Sequence, residues 1–406
     1  MSAISIFAGI YCRGNDVAGE VAKALDYEVI GDQDLISQAG SRFSLPEKKF
    51  ARAIVGKTSV FNRFTHERQR CVAYLRCILA EALKKDNRVY LGLAGHLIPG
   101  DISHVLRVCV TATTPYRIAL GMQQNGLSEK QAAKSIHRED VGHTRWTAYL
   151  HQKHPWDISL YDMVVPLDEK STDEVAALIC SRLEKGVFEP NEASLTGVDD
   201  FVLTSQIEVA LAKEGHDVSV SAKGGAVLLT INKHVMMLAR LEEELKRVAG
   251  RIPGVSQVET TAGPGFYETD TYRQYDFRTP SKVLLVDDNE QFAGALSERL
   301  LMRDVGSTAV WDGEQALHFL EEEEPEVMVL DLEMPGIDGI SVLSQVKKSH
   351  PGVEVIILTG QGSNKEKGIC MALGAFAYLK KPVDIERLTD TLRLAYNRTG
   401  ASFGNA

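Results

Sequence analysis

The fold is decided by Glu326–Val–Met–Val–Leu–Asp331, which leads directly into Leu332–Glu–Met–Pro–Gly–Ile–Asp–Gly339. An uninterrupted apolar run rich in Val and Leu predicts a strand that is buried on both faces of a parallel sheet. In open α/β sheets, the ligand site lies outside the carboxyl ends of the strands. Asp331 ends this strand, so it is the first candidate for a functional carboxylate.

Residues 281–400 repeat a strand and a helix five times, which predicts an α/β domain built on a parallel five-stranded sheet. Each strand that carries a candidate polar residue carries it at its carboxyl end. Because these ends meet at one edge of the sheet, we expect the polar side chains to share one crevice. They are Asp287, Asp288, Asp331, Thr359 and Lys381.

This set of side chains predicts phosphoryl chemistry. Three neighbouring carboxylates repel one another unless a cation joins them, and Mg²⁺ takes oxygen ligands while keeping positions for a phosphoryl oxygen. Thr359 and Lys381 can hydrogen-bond and neutralise the other phosphoryl oxygens. The carboxylate of Asp331 is then the nucleophile, and the product is an acyl phosphate.

The acidic pair, the Asp–x–x–Met–Pro loop, the Thr and the Lys–Pro pair together resemble the receiver domain of two-component response regulators, over the whole of residues 281–400. The resemblance implies that a histidine kinase or a phosphotransfer protein phosphorylates Asp331. It implies that the backbone carbonyl of Glu333 joins the three carboxylates as a Mg²⁺ ligand. It also implies that Tyr378 is the switch residue and that the peptide bond before Pro382 is cis.

Residues 1–190 alternate strands and helices, which predicts a second α/β domain. Its first strand, Ile4–Ala8, leads into a loop that holds Gly9 and Gly14 at the spacing of a phosphate-binding loop, and a helix follows. Asn15–Asp16 stands where that motif has Lys and Ser or Thr. The pattern leaves two interpretations open, a degenerate phosphate-binding loop or a tight turn.

The same region resembles the cytidylate kinase-like family, through its glycine loop and through Tyr27–Asp32, Arg138–Asp140 and Trp156–Asp157. The resemblance implies a P-loop-kinase-like α/β fold with an arginine-bearing lid, and ATP and CMP as candidate ligands. The implied nucleotide-site residues are Gly9, Arg13, Gly14, Arg138 and Arg145, and Arg117 matches an arginine after the preceding strand.

Two cations of that family are missing here, at Asn15 and at Leu93 in the pair Gly92–Leu93. Phosphoryl transfer depends on neutralising charge on the moving group, so these losses should slow it by several orders of magnitude unless Arg13 substitutes. We therefore expect this domain to serve binding or assembly rather than catalysis.

Residues 200–263 predict a small α+β domain with the element order α–β–β–α–β. Val218–Val220, Val227–Thr230 and Gly254–Val258 resemble the BON domain, which implies binding at membranes or to other macromolecules. A generic α+β spacer explains the pattern almost as well. No residue of this domain indicates chemistry.

Two linkers are expected around this small domain. Residues 189–200 are polar and contain glycine, which favours a linker. Residues 264–280 have no clear period. Their aromatic side chains, Phe266 and Tyr272 among them, either pack between domains or belong to an exposed linker.

The composition of the 406-residue chain argues against several classes of function. Its formal net charge of -10 argues against nucleic acid as the main partner. It has no apolar run of membrane-spanning length, no basic segment of a signal peptide, and no CxxC pair among its six cysteines.

We therefore expect a cytoplasmic response regulator without a DNA-binding output, able to form a homodimer through its receiver or its N-terminal domain. The alternative is a nucleoside monophosphate kinase whose rate the receiver gates.

Overall fold

The computed structural model describes residues 2–85, 87–184, 186–235, 237–267, 272–360 and 363–399. The chain forms two compact units. The first comprises the chain up to Thr58 and Glu67–Tyr272, and the second comprises Ser59–His66 and the chain from Arg273 onward. Among the residues that the structure describes, no helix combines the length and the apolarity needed to cross a membrane.

A parallel five-stranded sheet lies at the centre of the first unit, with the strand order β2–β3–β1–β4–β5. The strands are β1 (Ala3–Ala8), β2 (Glu28–Gly31), β3 (Arg88–Leu91), β4 (Val105–Thr111) and β5 (Met163–Pro166). The helices are α1 (Gly14–Leu25), α2 (Asp32–Phe43), α3 (Glu47–Val55), α5 (Glu67–Leu83), α6 (Thr114–Asn125), α7 (Glu129–His151) and α8 (Thr172–Leu183), and α4 (Asn62–Thr65) belongs to the second unit.

Side chains of β1 alternate between two cores, as expected for a strand buried on both faces. Phe7 packs into one core together with Trp146 of α7. Ile4 and Ile6 pack into the other core with Val17 of α1. The sheet is therefore covered on both sides, and its functional edge is formed by the loops at the carboxyl ends of the strands.

The smaller domain of the first unit has the predicted order α–β–β–α–β. Its elements are α9 (Glu192–Lys213), β6 (Ser219–Lys223), β7 (Ala226–Ile231), α10 (Leu238–Ala249) and β8 (Gln257–Ala262). The hairpin β6–β7 is antiparallel, and β8 pairs parallel with β7. Phe266 and Tyr272, from the expected exit linker, pack against the core of this domain.

The predicted linker over residues 189–200 is wrong, because α9 already begins at Glu192. The side chain of Asn191 caps this helix by accepting a hydrogen bond of 2.8 Å from the backbone N–H of Ser194. Val198 and Phe201 are buried in the core that contains Phe7. The segment is polar in overall composition, but the face of α9 that packs on this core is apolar.

The second unit contains another parallel five-stranded sheet, with the order β10–β9–β11–β12–β13. The strands are β9 (Val283–Val286), β10 (Ser307–Val310), β11 (Val327–Leu330), β12 (Glu354–Thr359) and β13 (Ala377–Lys380). The helices are α11 (Glu290–Leu301), α12 (Gly313–Glu322), α13 (Gly339–Ser349), α14 (Asn364–Ala372) and α15 (Ile385–Arg398). This is the (βα)5 architecture that the strand pattern predicts.

Ser59–His66 packs with the second unit although it belongs to the first part of the sequence. Phe61 is fully buried, and its ring meets that of Phe319 edge-on with centroids 5.8 Å apart. The hydroxyl of Ser59 donates a hydrogen bond of 2.8 Å to the carboxylate of Glu323. Nothing in the local sequence pattern indicates these contacts.

We predict that Phe61→Ala destabilises the second unit by about 3–5 kcal/mol, the cost of removing a buried aromatic side chain. Hydrogen exchange on the full chain will detect this as faster exchange of the amides in β9 and β11. The matched control is Val60→Ala, because Val60 is 48% exposed and its truncation should change stability by less than about 0.5 kcal/mol. Equal exchange in the two variants would contradict the assignment of this segment to the second unit.

Candidate functional site

Three carboxylates meet where β9 and β11 end. The two strands are adjacent, with Leu330 opposite Val286, so the acidic residues that follow them lie side by side. Asp287, Asp288 and Asp331 each place a carboxylate oxygen within 4.8 Å of the others. Asp287 and Asp331 are 5% and 6% exposed, whereas Asp288 is open to solvent. The structure therefore brings together the three carboxylates that the strand-end pattern predicts.

Lys381 supplies the positive charge of this crevice. Its Nζ lies 2.5 Å from Oδ2 of Asp287 and 2.6 Å from Oδ2 of Asp331. Burial raises the pKa of Asp287, although Lys381 acts in the opposite direction. Burial alone would lower the pKa of Lys381, but its hydrogen bonds to the two carboxylates raise it. The ring of Phe292, which the sequence pattern does not single out, lies 4.4 Å from Nζ and confines this ammonium group.

Backbone amides hold the other oxygen of Asp331. Its Oδ1 accepts hydrogen bonds from the N–H groups of Leu332 at 2.6 Å and Glu333 at 3.3 Å. The same turn passes so close to Gly339 that a side chain at Gly339 would collide with the backbone carbonyl of Asp331. The two oxygens of Asp331 are thus oriented differently, one by amides and one by Lys381.

Two buried hydroxyl groups lie beside this crevice. Oγ1 of Thr359 and Oη of Tyr378 are buried and have no hydrogen-bond partner among the described residues. An unpaired buried hydroxyl costs about 1–3 kcal/mol, so each group is available to a ligand or to a changed conformation. Burial also raises the pKa of Tyr378. The peptide bond between Lys381 and Pro382 is cis, as the resemblance implies.

The glycine loop of the first unit lies at the switch point of its sheet, where the connections from β1 and β4 leave in opposite directions. Its one cation, Arg13, is engaged with Asp16 at 2.9 Å. Gly9 is covered by the ring of Trp156, which would lie 2.8 Å from a Cβ at that position. Gly14 begins α1 and packs against Ala8.

A buried arginine braces this loop. Nε of Arg117 donates a hydrogen bond of 2.9 Å to the carbonyl of Ile10. Its two terminal nitrogens bind the carboxylate of Asp140 at 2.8 and 2.7 Å. Sequence reasoning matched Arg117 to its family but missed this bidentate pair, because the two residues are distant in sequence.

Arg138 and Arg145 do not join this loop. Both lie on α7, a continuous helix of 23 residues, and both are exposed. Asp140 faces Arg117, and at 3.6 residues per turn the two arginines point about 160° and about 140° away from it. The structure therefore brings Arg117, rather than the expected lid arginines, to the glycine loop.

Two regions of the chain match known family models. Residues 283–393 match the model of the response regulator receiver domain. Residues 3–169 match the model of the cytidylate kinase-like family. The chain therefore carries a receiver domain in its C-terminal region and a cytidylate kinase-like region before it. The BON resemblance of residues 200–263 stays a prediction.

Individual relatives resemble the receiver region. The probable transcriptional regulator ycf27 of Guillardia theta is 35% identical over 124 residues, which are 30% of this chain and 48% of that protein. This chain thus spans about half the length of that relative. The receiver domain of the Francisella response regulator 1452 is 32% identical, with 30% of this chain and 98% of that chain covered and a TM-score of 0.28. The signal receiver domain of the putative Luxo repressor protein of Vibrio parahaemolyticus is 29% identical, with 30% and 93% covered and a TM-score of 0.29.

We predict that Gly339→Ala destabilises the second unit by more than about 1 kcal/mol, because backbone atoms block the new methyl group. Gly368→Ala is the matched control, since Gly368 lies in α14 with open space where the methyl group would go. The control should be neutral or stabilised by up to about 1 kcal/mol. Denaturant unfolding of the full-length variants measures both, and equal midpoints would contradict the close approach at Asp331.

Proposed function

We propose that this protein works in a phosphorelay, in which Asp331 accepts a phosphoryl group from a histidine kinase or a phosphotransfer protein. The observation that carries the proposal is the position of the Asp331 carboxylate. It lies beside two further carboxylates and within 2.6 Å of Lys381. The buried hydroxyl of Thr359 lies nearby and has no hydrogen-bond partner in the described part of the chain. Such a site neutralises and orients the anion that phosphoryl transfer creates.

In the proposed reaction, a carboxylate oxygen of Asp331 attacks the phosphorus of the donor. An oxygen–phosphorus bond forms, and the bond between phosphorus and the donor's histidine nitrogen breaks. Lys381 holds the nucleophile in place before transfer and binds a phosphoryl oxygen afterwards. The amides of Leu332 and Glu333 keep the carboxylate from rotating.

The donor set fits Mg²⁺, since it consists of oxygen ligands gathered on one edge of a rigid sheet. Asp287, Asp288, Asp331 and the backbone carbonyl of Glu333 would hold the ion. When bound, Mg²⁺ would supply further positive charge to the phosphoryl oxygens.

The response to phosphorylation is proposed to pass through Thr359 and Tyr378. The hydroxyl of Thr359 makes no hydrogen bond to any residue that the structure describes, so a phosphoryl oxygen can draw it toward Asp331. Tyr378, whose hydroxyl also lacks a partner among the described residues, can then move on β13. The altered surface would select a partner, either another protein or a second copy of this chain.

The output is proposed to be the cytidylate kinase-like region with the BON-like domain, acting by binding or assembly and not through DNA. Arg13 is paired with Asp16, and Arg117 is occupied by Asp140 and Ile10, so neither is poised to neutralise a phosphate. The match of residues 3–169 to the kinase-like family supports the alternative, a receiver-gated nucleoside monophosphate kinase.

Asp331→Asn should abolish phosphorylation by a small-molecule phosphodonor in the presence of Mg²⁺, as measured by intact-protein mass spectrometry. Asp338→Asn is the control, because Asp338 lies in the same loop but caps α13 through the N–H of Ser341, a role that Asn retains. Wild type and the control should gain one phosphoryl group. Labelling of Asp331→Asn at the wild-type rate would show that the acceptor lies elsewhere.

A nucleotide assay separates the two outputs. On full-length Asp331→Asn protein with Mg²⁺, we expect no saturable ATP or CMP binding in equilibrium dialysis and no turnover with a panel of nucleoside monophosphates. The substitution keeps receiver phosphorylation from being mistaken for kinase activity. Saturable ATP binding with formation of a nucleoside diphosphate would instead establish the gated kinase.

A further inference from the structure

A second cluster of ligand-type side chains lies in the small domain of the first unit, which sequence reasoning leaves without chemistry. Glu214 is the C-cap residue that follows α9, His216 lies in the next loop, and Glu244 lies on α10. One ligand atom from each residue lies within 4.8 Å of the other two. We call these three residues the Glu–His–Glu cluster. The spacing Glu–x–His was visible in the sequence, but the contribution of Glu244 depends on the packing of α10.

His216 is the unusual member of the cluster. Its side chain is completely buried, and Nδ1 lies 2.8 Å from the hydroxyl of Tyr272, which fixes the ring. The other nitrogen, Nε2, faces Glu244 at 3.5 Å and has no hydrogen-bond partner among the described residues. A buried ring nitrogen that faces a carboxylate and makes no hydrogen bond to the described residues is costly unless something else binds it.

This arrangement has the parts of a transition-metal site. Metal-binding histidines usually use one ring nitrogen for the ion and the other for a hydrogen bond that orients the ring. One imidazole and two carboxylates leave a fourth position for water, which suits Zn²⁺. The nitrogen ligand favours a transition metal over Mg²⁺ or Ca²⁺, which prefer oxygen alone.

Two arginines compete for the same carboxylates. Arg247 lies 3.3 Å from Glu214 and 3.9 Å from Glu244, and Arg251 lies 3.9 Å from Glu214. Both arginines are substantially exposed, at 47% and 62% of the side chain. Exposed ion pairs contribute little to stability, so moving these side chains costs little. Neither arginine forms a hydrogen bond with Nε2 of His216 in the described structure. A metal ion, in contrast, would bind that nitrogen.

We propose that Glu214, His216 and Glu244 bind a divalent transition metal ion, with water in the remaining position. The ion joins the end of α9 to α10 and thereby ties together two helices of the small domain. This site is independent of the phosphorelay proposed for Asp331, and neither proposal requires the other.

Zinc titration of the full chain by calorimetry, in buffer containing excess Mg²⁺, tests the site. His216→Gln should weaken zinc binding at least about 10-fold. The control is His318→Gln, because His318 also pairs with a glutamate, Glu321 at 3.1 Å, but is 75% exposed. The control should bind zinc like wild type. Repeating the titration on Asp287→Asn removes a ligand of the receiver crevice and should leave this zinc site unchanged.

Two further variants keep the test decisive if His216→Gln fails to fold. Glu244→Gln removes a ligand at a position that is 30% exposed, and it should weaken zinc binding by a similar factor. Tyr272→Phe keeps all three ligands but frees the His216 ring, and it should weaken binding about 10-fold. Replacing zinc by Co²⁺ should give the intense visible absorption of a four-coordinate site. The proposal is overturned if folded Glu244→Gln and Tyr272→Phe bind zinc as tightly as wild type. It is also overturned if the Asp287→Asn variant, with its other residues unchanged, binds no zinc.

Discussion

The ion pairs between Lys381 and the carboxylates of Asp287 and Asp331 are the interaction on which the second unit depends. Two nearly buried carboxylates side by side would each lose several kcal/mol of hydration and repel one another. The ammonium group compensates both at once, at 2.5 and 2.6 Å. Lys381 reaches the carboxylates because of the strand order, in which β12 and β13 lie next to β11 and end at the same edge of the sheet as β9 and β11. The order of the strands therefore determines the site, because Lys381 neutralises the two carboxylates only if the strands keep this order.

At the glycine loop of the first unit, the buried positive charge of Arg117 holds the loop in place and does not belong to a site open to an anion. Arg117 is 4% exposed and bound on both sides of its guanidinium group, to Asp140 and to the carbonyl of Ile10. Breaking a buried pair of this kind costs about 3–5 kcal/mol, because one charge is left without compensation. An anion would have to offset that cost before it gained anything from Arg117. These contacts hold Arg117 in a structural role, in line with the proposal that this domain binds or assembles and does not itself transfer a phosphoryl group.

Sequence reasoning was most reliable where one physical rule linked residues that are far apart. Apolar runs located the strands, and the strand-end rule placed Asp331 and Lys381 in one crevice although 50 residues separate them. It failed where packing overrides local composition. Residues 192–200 look like a linker, yet Asn191 caps a helix there and Val198 and Phe201 are buried.

Long-range side-chain pairs were also out of reach of the sequence. No periodicity relates Arg117 to Asp140, or His216 to Glu244, since each pair depends on how one helix packs on another element. The resemblance to a kinase lid singled out Arg138 and Arg145 but could not show which face of α7 carries them. Position along a chain is inferred from pattern, whereas direction around a helix axis depends on the neighbours.

The segment Ser59–His66 has a consequence for how such proteins evolve. The receiver family model matches residues 283–393 alone, as if this domain could be transferred by itself. Here Nε2 of His66 lies within hydrogen-bonding distance of the backbone carbonyl of Arg273, which is 207 residues further along the chain. Ser59 likewise donates a hydrogen bond to Glu323, which is 264 residues further along. A transplanted receiver would have to suit a partner sequence encoded in a distant part of the gene. Recombination at the apparent domain border would therefore separate surfaces that have to be inherited together.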